Sequence, residues 1–284
     1  MAEPLVTVYI TTRNRPQLFL RALQSVALQS YKATEIIVVD DNSSPDNAKM
    51  NASYCERYAH VRYFWLSDNQ GAPAARNFAI ASAQGEYITG LDDDDEFTTD
   101  RLEVFVAAWQ AAPDFSLLCS GYIYYLPDGR CIVSKKRRKL ISVEQIRSVN
   151  YVGNQIFTKT SYLKAINGFD PTLVACQDYD VWIRLINRFG SGLRLPVNSY
   201  IVHQEHETPR ISTQERRYAG HQQLIEKHRA MLSKNELRSQ MFYQALLSGE
   251  TNFLRLLKLA GTQNTLQLLK SRLSTLLSRK VARK

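Results

Sequence analysis

Two short runs near the start of the chain, Val6-Thr7-Val8-Tyr9-Ile10-Thr11 and Glu35-Ile36-Ile37-Val38-Val39-Asp40, are apolar almost without interruption. A strand with one wet face alternates apolar and polar residues, so this continuity predicts strands covered on both faces, as in a parallel sheet. Between the two runs, Leu18, Phe19, Ala22, Leu23 and Val26 recur at helical spacing, with Asn14 as the expected N-cap and Pro16 just inside the first turn. Strand, helix and strand make a βαβ unit, which places the chain in the α/β class.

The second strand runs out into Asp40-Asp41-Asn42-Ser43-Ser44-Pro45. Ligands of open α/β sheets gather at the carboxyl ends of the strands. Taken alone Asp41 reads as a turn or capping residue, but with three polar ends on successive strands Thr11, Asp41 and a later acidic run are expected on one rim. A helix over about 46–58, a strand over Val61–Trp65 and a helix from Gly71 to Ala83 follow. Tyr87-Ile88-Thr89 then delivers Gly90-Leu91-Asp92-Asp93-Asp94-Asp95-Glu96-Phe97. Like charges roughly 5 Å apart repel by about 1 kcal/mol in water and more in a dry cleft, so a cation is expected nearby. If the strand continues for two more residues, Asp92 and Asp94 share one side and Asp93 and Asp95 the other. An Asp-x-Asp pair suits a hard divalent cation. The competing reading is a solvated loop leading into a helix, with Asp100 and Glu103 as a capping-box-like pair. A calcium loop of the EF-hand kind is disfavoured, because Phe97 stands where its glycine is needed. Arg76, in an otherwise small and apolar helix, is either a surface charge or a partner for phosphate or for the carboxylates.

Further on, Pro127-Asp128-Gly129 is a hairpin turn. The run Lys135-Lys136-Arg137-Arg138-Lys139 has no stacking aromatics interleaved, so it reads as a solvated loop and no nucleic-acid partner is expected. Asn167-Gly168 signals a left-handed helix end. Asp178 lies in the first turn of an amphipathic helix beginning at Gln177, where the dipole is expected to hold it ionised, ready to accept a proton or serving only as a cap. His203 and His206 stand in a polar segment that is either a metal-ligating loop or plain surface.

The net charge of +9 is uneven. Residues 214–284 hold 14 Lys and Arg against 4 Glu, and the rest of the chain is close to neutral. This leucine-rich, cationic, helical stretch suits the surface of an anionic membrane, or packs on the main domain or on a second subunit as a homo-oligomer contact. Cys55, Cys119, Cys131 and Cys176 show no paired spacing, which favours a reducing compartment over a zinc site or disulfide framework. Neither a signal-peptide pattern nor an apolar run of membrane-spanning length is seen.

In order, Val6 to Arg15, Val38 to Ser43, Ala75-Arg76-Asn77, Gly85 to Ile88, the Asp92 run, Gly168-Phe169-Asp170 and Gln177-Asp178-Tyr179-Asp180 resemble the family-2 inverting glycosyltransferases with the GT-A fold. The resemblance spans residues 5 to about 212. It implies a Rossmann-like mixed α/β sheet flanked by helices over 1–213, with 214–284 as a C-terminal helical extension. It also implies that Thr11, Arg13, Asp41 and Arg76 hold the nucleotide-sugar donor together with Asp92 and Asp93, that Asp94 with Asp92 binds Mn²⁺ or Mg²⁺, and that Asp178 is the catalytic base. His206 or His203 matches a metal or diphosphate contact, and Arg210 a loop over the donor. The family usually carries Glu-Asp where this chain has Gln177-Asp178, which puts the acceptor contact at Gln177 in doubt. The implied reaction moves a sugar from a nucleotide sugar, UDP-linked by default, to a hydroxyl of a glycan or glycolipid in lipopolysaccharide, capsule or O-antigen synthesis, at the cytoplasmic face of the membrane. A catalytically silent carbohydrate- or membrane-binding relative is the alternative. A Rossmann oxidoreductase or a nucleotidyltransferase lacks support, since no glycine-rich stretch follows the first strand.

Overall fold

The apolar runs are the strands expected. In the computed structural model, which describes residues 3–135, 137, 139–205 and 213–260, β1 (Val6–Thr12) and β2 (Thr34–Asp40) pair in parallel and are buried along nearly their whole length. β3 (Val61–Trp65) extends the sheet beyond β2, and β4 (Tyr87–Asp92) lies on the other side of β1, both parallel. Beyond β4 the sheet turns mixed. β9 (Phe157–Lys159) is antiparallel to β4, β6 (Leu118–Tyr125) comes next, then β10 (Gly192–His203) and β5 (Glu96–Phe97). Two short strands lie off this path, β7 (Cys131–Val133) on β6 and β8 (Lys139–Ile141) on β10.

Helices cover the sheet by their apolar stripes. α1 (Pro16–Ala27) buries Phe19, Ala22, Leu23 and Val26, the spacing of one helix face. Its N-cap is Arg15 rather than Asn14. Asn14 instead takes a left-handed conformation, φ 55°, and its side-chain oxygen accepts from Ser44 N and Asn47 Nδ2, which ties this corner to the loop after β2. α2 (Pro45–Cys55), α3 (Ala72–Ser82) and α4 (Arg101–Ala111) follow their strands. Asp100 occupies the N-cap of α4, but the expected capping box does not form: its carboxylate accepts from Thr98 Oγ1, and Glu103 accepts from Ser30.

At the amino ends of the strands, away from the acidic run, Glu35 gathers donors. Thr7 Oγ1 (2.5 Å), Gln84 N (2.6 Å) and Gly85 N (3.0 Å) all reach its Oε1, and Arg62 its Oε2. One carboxylate thus binds the feet of β1, β2 and β4 together.

Later come the short α5 (Val143–Ser148), α6 (Thr160–Ala165) and α7 (Gln177–Phe189). α6 ends as expected, with Asn167 and Gly168 both left-handed and Gly168 N donating to Leu163 O. The chain divides into two compact units. One comprises Met1–Ile146, Tyr151–Thr172 and Gln177–Pro209, and the other Arg147–Asn150, Leu173–Cys176 and Arg210–Lys284. The second unit contains α8 (Gln214–His228), capped by Thr213, and α9 (Lys234–Leu247), whose Ser233 and Glu236 form a reciprocal capping box. Phe242, Ala245, Leu256 and Ala260 make its small apolar core. Residues 253–260 are helical, and the leucines from Leu266 onward lie outside the described residues. Among the described residues no helix is long and apolar enough to cross a membrane.

Candidate active site

Parallel pairing aligns three strand ends. Thr11 is in register with Val39 of β2 and with Asp92 of β4, and Thr12 with Asp40, so the polar ends form one rim. The alternation expected of Asp92 to Asp95 does not occur, because β4 stops at Asp92 and the chain turns, with Asp95 N donating to Asp92 O at 3.1 Å. The turn regroups the carboxylates. Asp93 folds inward, 2% exposed, accepting from Thr12 Oγ1 (2.8 Å) and pairing with Arg15 (2.8 Å). Asp94 stays partly exposed and meets the other guanidinium nitrogen of Arg15 at 3.2 Å. Burial pushes the Asp93 carboxyl up to about 7 against the pull of Arg15. Asp95, buried beside Asp92 and Asp94, is pushed up to about 8.

Arg76 joins the two halves of the site. From α3 its Nη1 reaches Asp178 Oδ1 and its Nη2 reaches Asp92 Oδ1, each at 3.1 Å. Its guanidinium lies over the Phe169 ring, 5.2 Å from the centroid. This geometry is built by the neighbouring motifs. Asn77 accepts from Phe169 N and donates to Phe169 O, both at 2.7 Å, which docks the Gly168-Phe169 corner on α3; a side chain at Gly168 would meet Asn77 Oδ1 at 2.2 Å. Asp180, fully buried, pairs with Nε and Nη2 of Arg184, whose Nη1 donates to Ile166 O and whose Nη2 also donates to Gly168 O. The first turn of α7 is thereby fixed with Asp178 facing Arg76. The helix-dipole expectation for Asp178 needs correcting: burial dominates and raises its carboxyl to about 6, with Arg76 holding it from going higher.

Several residues with little local signal in the sequence complete the site. Asn154 Nδ2 and Gln155 Nε2 donate to the two oxygens of Asp92, each at 3.0 Å. Tyr200 Oη accepts from Asp92 N and from Asn154 Nδ2, both at 3.3 Å. Tyr122 Oη accepts from Asn154 N and donates to Val152 O; Gly153 (φ 100°) must lack a side chain, since a Cβ would sit 1.6 Å from that oxygen. Beneath Tyr200 lies Arg101, 1% exposed, donating to Ser120 and Ser199 and enclosed by the rings of Phe97, Phe105 and Tyr200 at 4.4–5.5 Å. It forms no ion pair among the described residues. The one local signal for Tyr122, Asn154 and Gln155 is the polar Gly153-Asn154-Gln155 step between apolar stretches; Arg101 had the aromatic neighbours four residues either side.

The other expected residues fall as follows. Asp41 is buried and accepts from Gln70 N and Gly71 N, both at 2.8 Å, tying the loop before α3 to the end of β2. Thr11 is half-buried at the rim, Arg13 exposed beyond it, and Gln177 half-buried in the first turn of α7. His203 does not face the Asp92–Asp94 turn with a free nitrogen: Nε2 is 2.6 Å from Glu96 and Nδ1 2.5 Å from Glu205. Burial opposes protonation of the ring, but the two carboxylates outweigh it and raise its proton affinity. His206 and Arg210 lie outside the described residues.

For a divalent cation the donor set is right in kind. Asp92 and Asp94 offer carboxylate oxygens at the solvent-reachable side of a turn where burial first, and the neighbouring carboxylates second, push Asp93 and Asp95 upward. Among the described residues no three acidic, histidine or cysteine side chains form a ready cage. Magnesium-like ions are commonly held by one or two carboxylates with the rest of the shell from water and substrate phosphates, and this site fits that pattern.

The model of the family described as glycosyl transferase family 2 matches residues 7–167, more than half of the chain and including the whole acidic turn and Arg76. The chain belongs to this family. The glycosyltransferase is 34% identical to WcaA of Escherichia coli K12, named as a candidate colanic acid biosynthesis glycosyl transferase, over 84% of this chain and 87% of that one. It is 33% identical, over 47% of its length and 40% of the relative's, to the GalNAc(5)-diNAcBac-PP-undecaprenol beta-1,3-glucosyltransferase of Campylobacter jejuni. Among solved structures, S. aureus TarS 1-349 shares its fold with a TM-score of 0.68 at 18% identity, covering 88% of this chain and 74% of that one. The same TarS fragment has been solved with UDP-GlcNAc (TM-score 0.66). The mixed GT-A-like sheet expected from sequence is the fold observed.

Proposed function

We propose that this glycosyltransferase transfers a sugar with inversion from a nucleotide-sugar donor, UDP-linked, to a hydroxyl of a glycan or glycolipid acceptor in envelope polysaccharide synthesis. The observation that carries the reading is Arg76 spanning Asp178 and Asp92 at 3.1 Å each, because it brings a carboxylate fit to be a base against the rim where a donor would lie. Asp178, with its proton affinity raised to about 6, is ionised at neutral pH yet basic enough to take a proton from an attacking hydroxyl. Thr11, Asp41 and Arg13 lie where they would line the nucleotide end. Asp92, held by Arg76, Asn154 and Gln155, would orient the sugar, and Asp94 with Asp92 would hold Mn²⁺ or Mg²⁺. When bound, that cation supplies charge to offset the developing negative charge of the departing diphosphate. Attack on the face opposite the nucleotide converts an α-linked donor into a β-glycoside, in keeping with the β-1,3 linkage in the name of the Campylobacter relative. The names of that relative and of WcaA support an acceptor among envelope polysaccharides or lipid-linked glycans, and the TarS complex supports a UDP-sugar donor. The cationic extension would keep the enzyme peripheral to an anionic membrane. Nucleotide release from a panel of nucleotide sugars with candidate acceptors tests the reading. Asp178→Asn is expected to lower transfer by roughly 10²–10⁴ while nucleotide binding by calorimetry persists; full turnover by that variant would remove the base.

A further inference from the structure

The hairpin at the carboxyl end of β6 carries apolar side chains that its own sheet leaves in solvent. β7 pairs with β6 through Ile123↔Val133, Tyr124↔Ile132 and Tyr125↔Cys131, closed by the turn at Gly129. Adjacent residues of a strand point to opposite faces. Ile132 and Val133 are nevertheless both about half exposed, at 48% and 53%, so the outer strand of this ribbon presents branched apolar surface to solvent on both of its faces, while Tyr124 of β6 packs on the core. Tyr125, paired with Cys131, is also exposed.

Directly after the ribbon comes the cationic run. Lys135 and Arg137 are exposed and meet no carboxylate among the described residues, and the sequence adds Lys136, Arg138 and Lys139. Residues 125–141 contain six Lys and Arg against the single Asp128, which is already paired with Arg130 at 2.7 Å. Branched apolar side chains on a hairpin, followed at once by a cationic run in which Lys135 and Arg137 are exposed, match one surface in particular. An anionic bilayer attracts the cations and admits the apolar side chains below its headgroups. A nucleic acid would leave Ile132 and Val133 in water, and the one ring available for stacking, Tyr125, is already stacked on His203 at 5.3 Å.

We propose that the β6–β7 hairpin and the cations after it form a docking surface for anionic phospholipid bilayers. The hairpin is rooted beside the catalytic rim: Gln204 N donates to Tyr125 O, and His203 N donates to the carboxylate of Asp95. Docking there sets the acidic turn close to the headgroup plane, where a lipid-linked acceptor presents its hydroxyls. The docking itself does not depend on the reaction proposed above and is read without turnover.

Cys131 provides the probe. Cys55 and Cys119 are buried, so in the full-length chain with Cys176→Ser an environment-sensitive fluorophore attaches at Cys131, inside the hairpin. With phosphatidylglycerol-rich vesicles the emission is expected to shift to the blue. With phosphatidylcholine vesicles, or at high salt, it is expected to stay put. Changing Lys135, Lys136, Arg137 and Arg138 to Ser should weaken vesicle binding by about tenfold or more. Ile132→Ser with Val133→Ser should abolish the blue shift while lowering the melting temperature only slightly, since about half of each side chain is exposed. If the vesicles pellet the protein while the Cys131 probe keeps its aqueous spectrum, the membrane is held elsewhere in the chain and the proposal is overturned. Equal binding to neutral vesicles, or none to either, overturns it as well.

Discussion

Replacing Arg76 by methionine tests the centre of the site most directly. The guanidinium is 11% exposed and lies 3.1 Å from a carboxylate oxygen on each side. Its removal strands Asp92 and Asp178 facing one another, each still about a quarter exposed. Removing one partner of a fully buried ion pair costs about 3–5 kcal/mol; with both carboxylates reaching water, about 2–3 kcal/mol is the appropriate expectation. The cost should also appear in the proton affinity of Asp178. Burial and Asp92 raise it, and Arg76 opposes them, so without Arg76 the carboxyl moves above about 6. One pKa unit corresponds to about 1.4 kcal/mol, so if half of the loss falls on Asp178, the acid limb of kcat/KM moves up by roughly one unit. The assay is the pH dependence of nucleotide release alongside thermal unfolding. Arg76→Lys should fall between the two proteins, because one ammonium cannot reproduce a two-pronged contact. In a double-mutant cycle, Asp178→Asn should recover part of the stability lost in Arg76→Met, as it withdraws one stranded charge. An acid limb that stays in place while activity remains measurable, or strict additivity in the cycle, would refute the coupling.

Three further outcomes follow from the same geometry. Asp93, Asp95 and Asp178 have carboxyls raised to about 7, 8 and 6, so their contribution to stability is complete below the ordinary carboxylate range and is lost as pH rises through those values; the melting temperature in chelator should therefore fall between about pH 5 and about pH 9, and a flat or rising profile would count against the buried turn. Arg101→Met removes a buried cation that has no anionic partner among the described residues, so relief of its desolvation offsets much of what its two serine hydrogen bonds and three ring contacts contribute, and stability should change by no more than about 1–2 kcal/mol, in contrast to Arg76→Met; chemical denaturation compares the two. Asp94→Asn should lower nucleotide release by roughly a hundredfold and abolish its stimulation by Mn²⁺ or Mg²⁺, as read from a cation titration.

The parallel half of the sheet was legible because burial on both faces leaves its mark on consecutive residues, as in Ile36 to Val39. The shared rim of Thr11, Asp41 and Asp92 followed from the polarity of the strand ends. The regrouping of Asp92 to Asp95 was not legible, since a turn one residue after the strand depends on contacts with Thr12 and Arg15, some eighty residues earlier. The approach of Asp178 to Asp92 came from the resemblance, not from local pattern; the docking of Asn77 on Phe169 that produces it joins residues 92 apart. Arg101 illustrates the remaining difficulty. At the start of a helix it reads as a surface charge, and only the assembled cage of Phe97, Phe105 and Tyr200 buries it.

Glu35 and the acidic turn stand at opposite ends of the same strands and are treated in opposite ways. At the foot, one carboxylate is shared among several donors, whereas at the head four consecutive aspartates compete for few. A laboratory search for heat-resistant variants should therefore find its easiest gains at the head, by exchanging Asp93 or Asp95 for the neutral amide, and should leave Glu35 alone. Such variants would melt later and work worse, which would make this enzyme's working temperature a compromise written into a single turn.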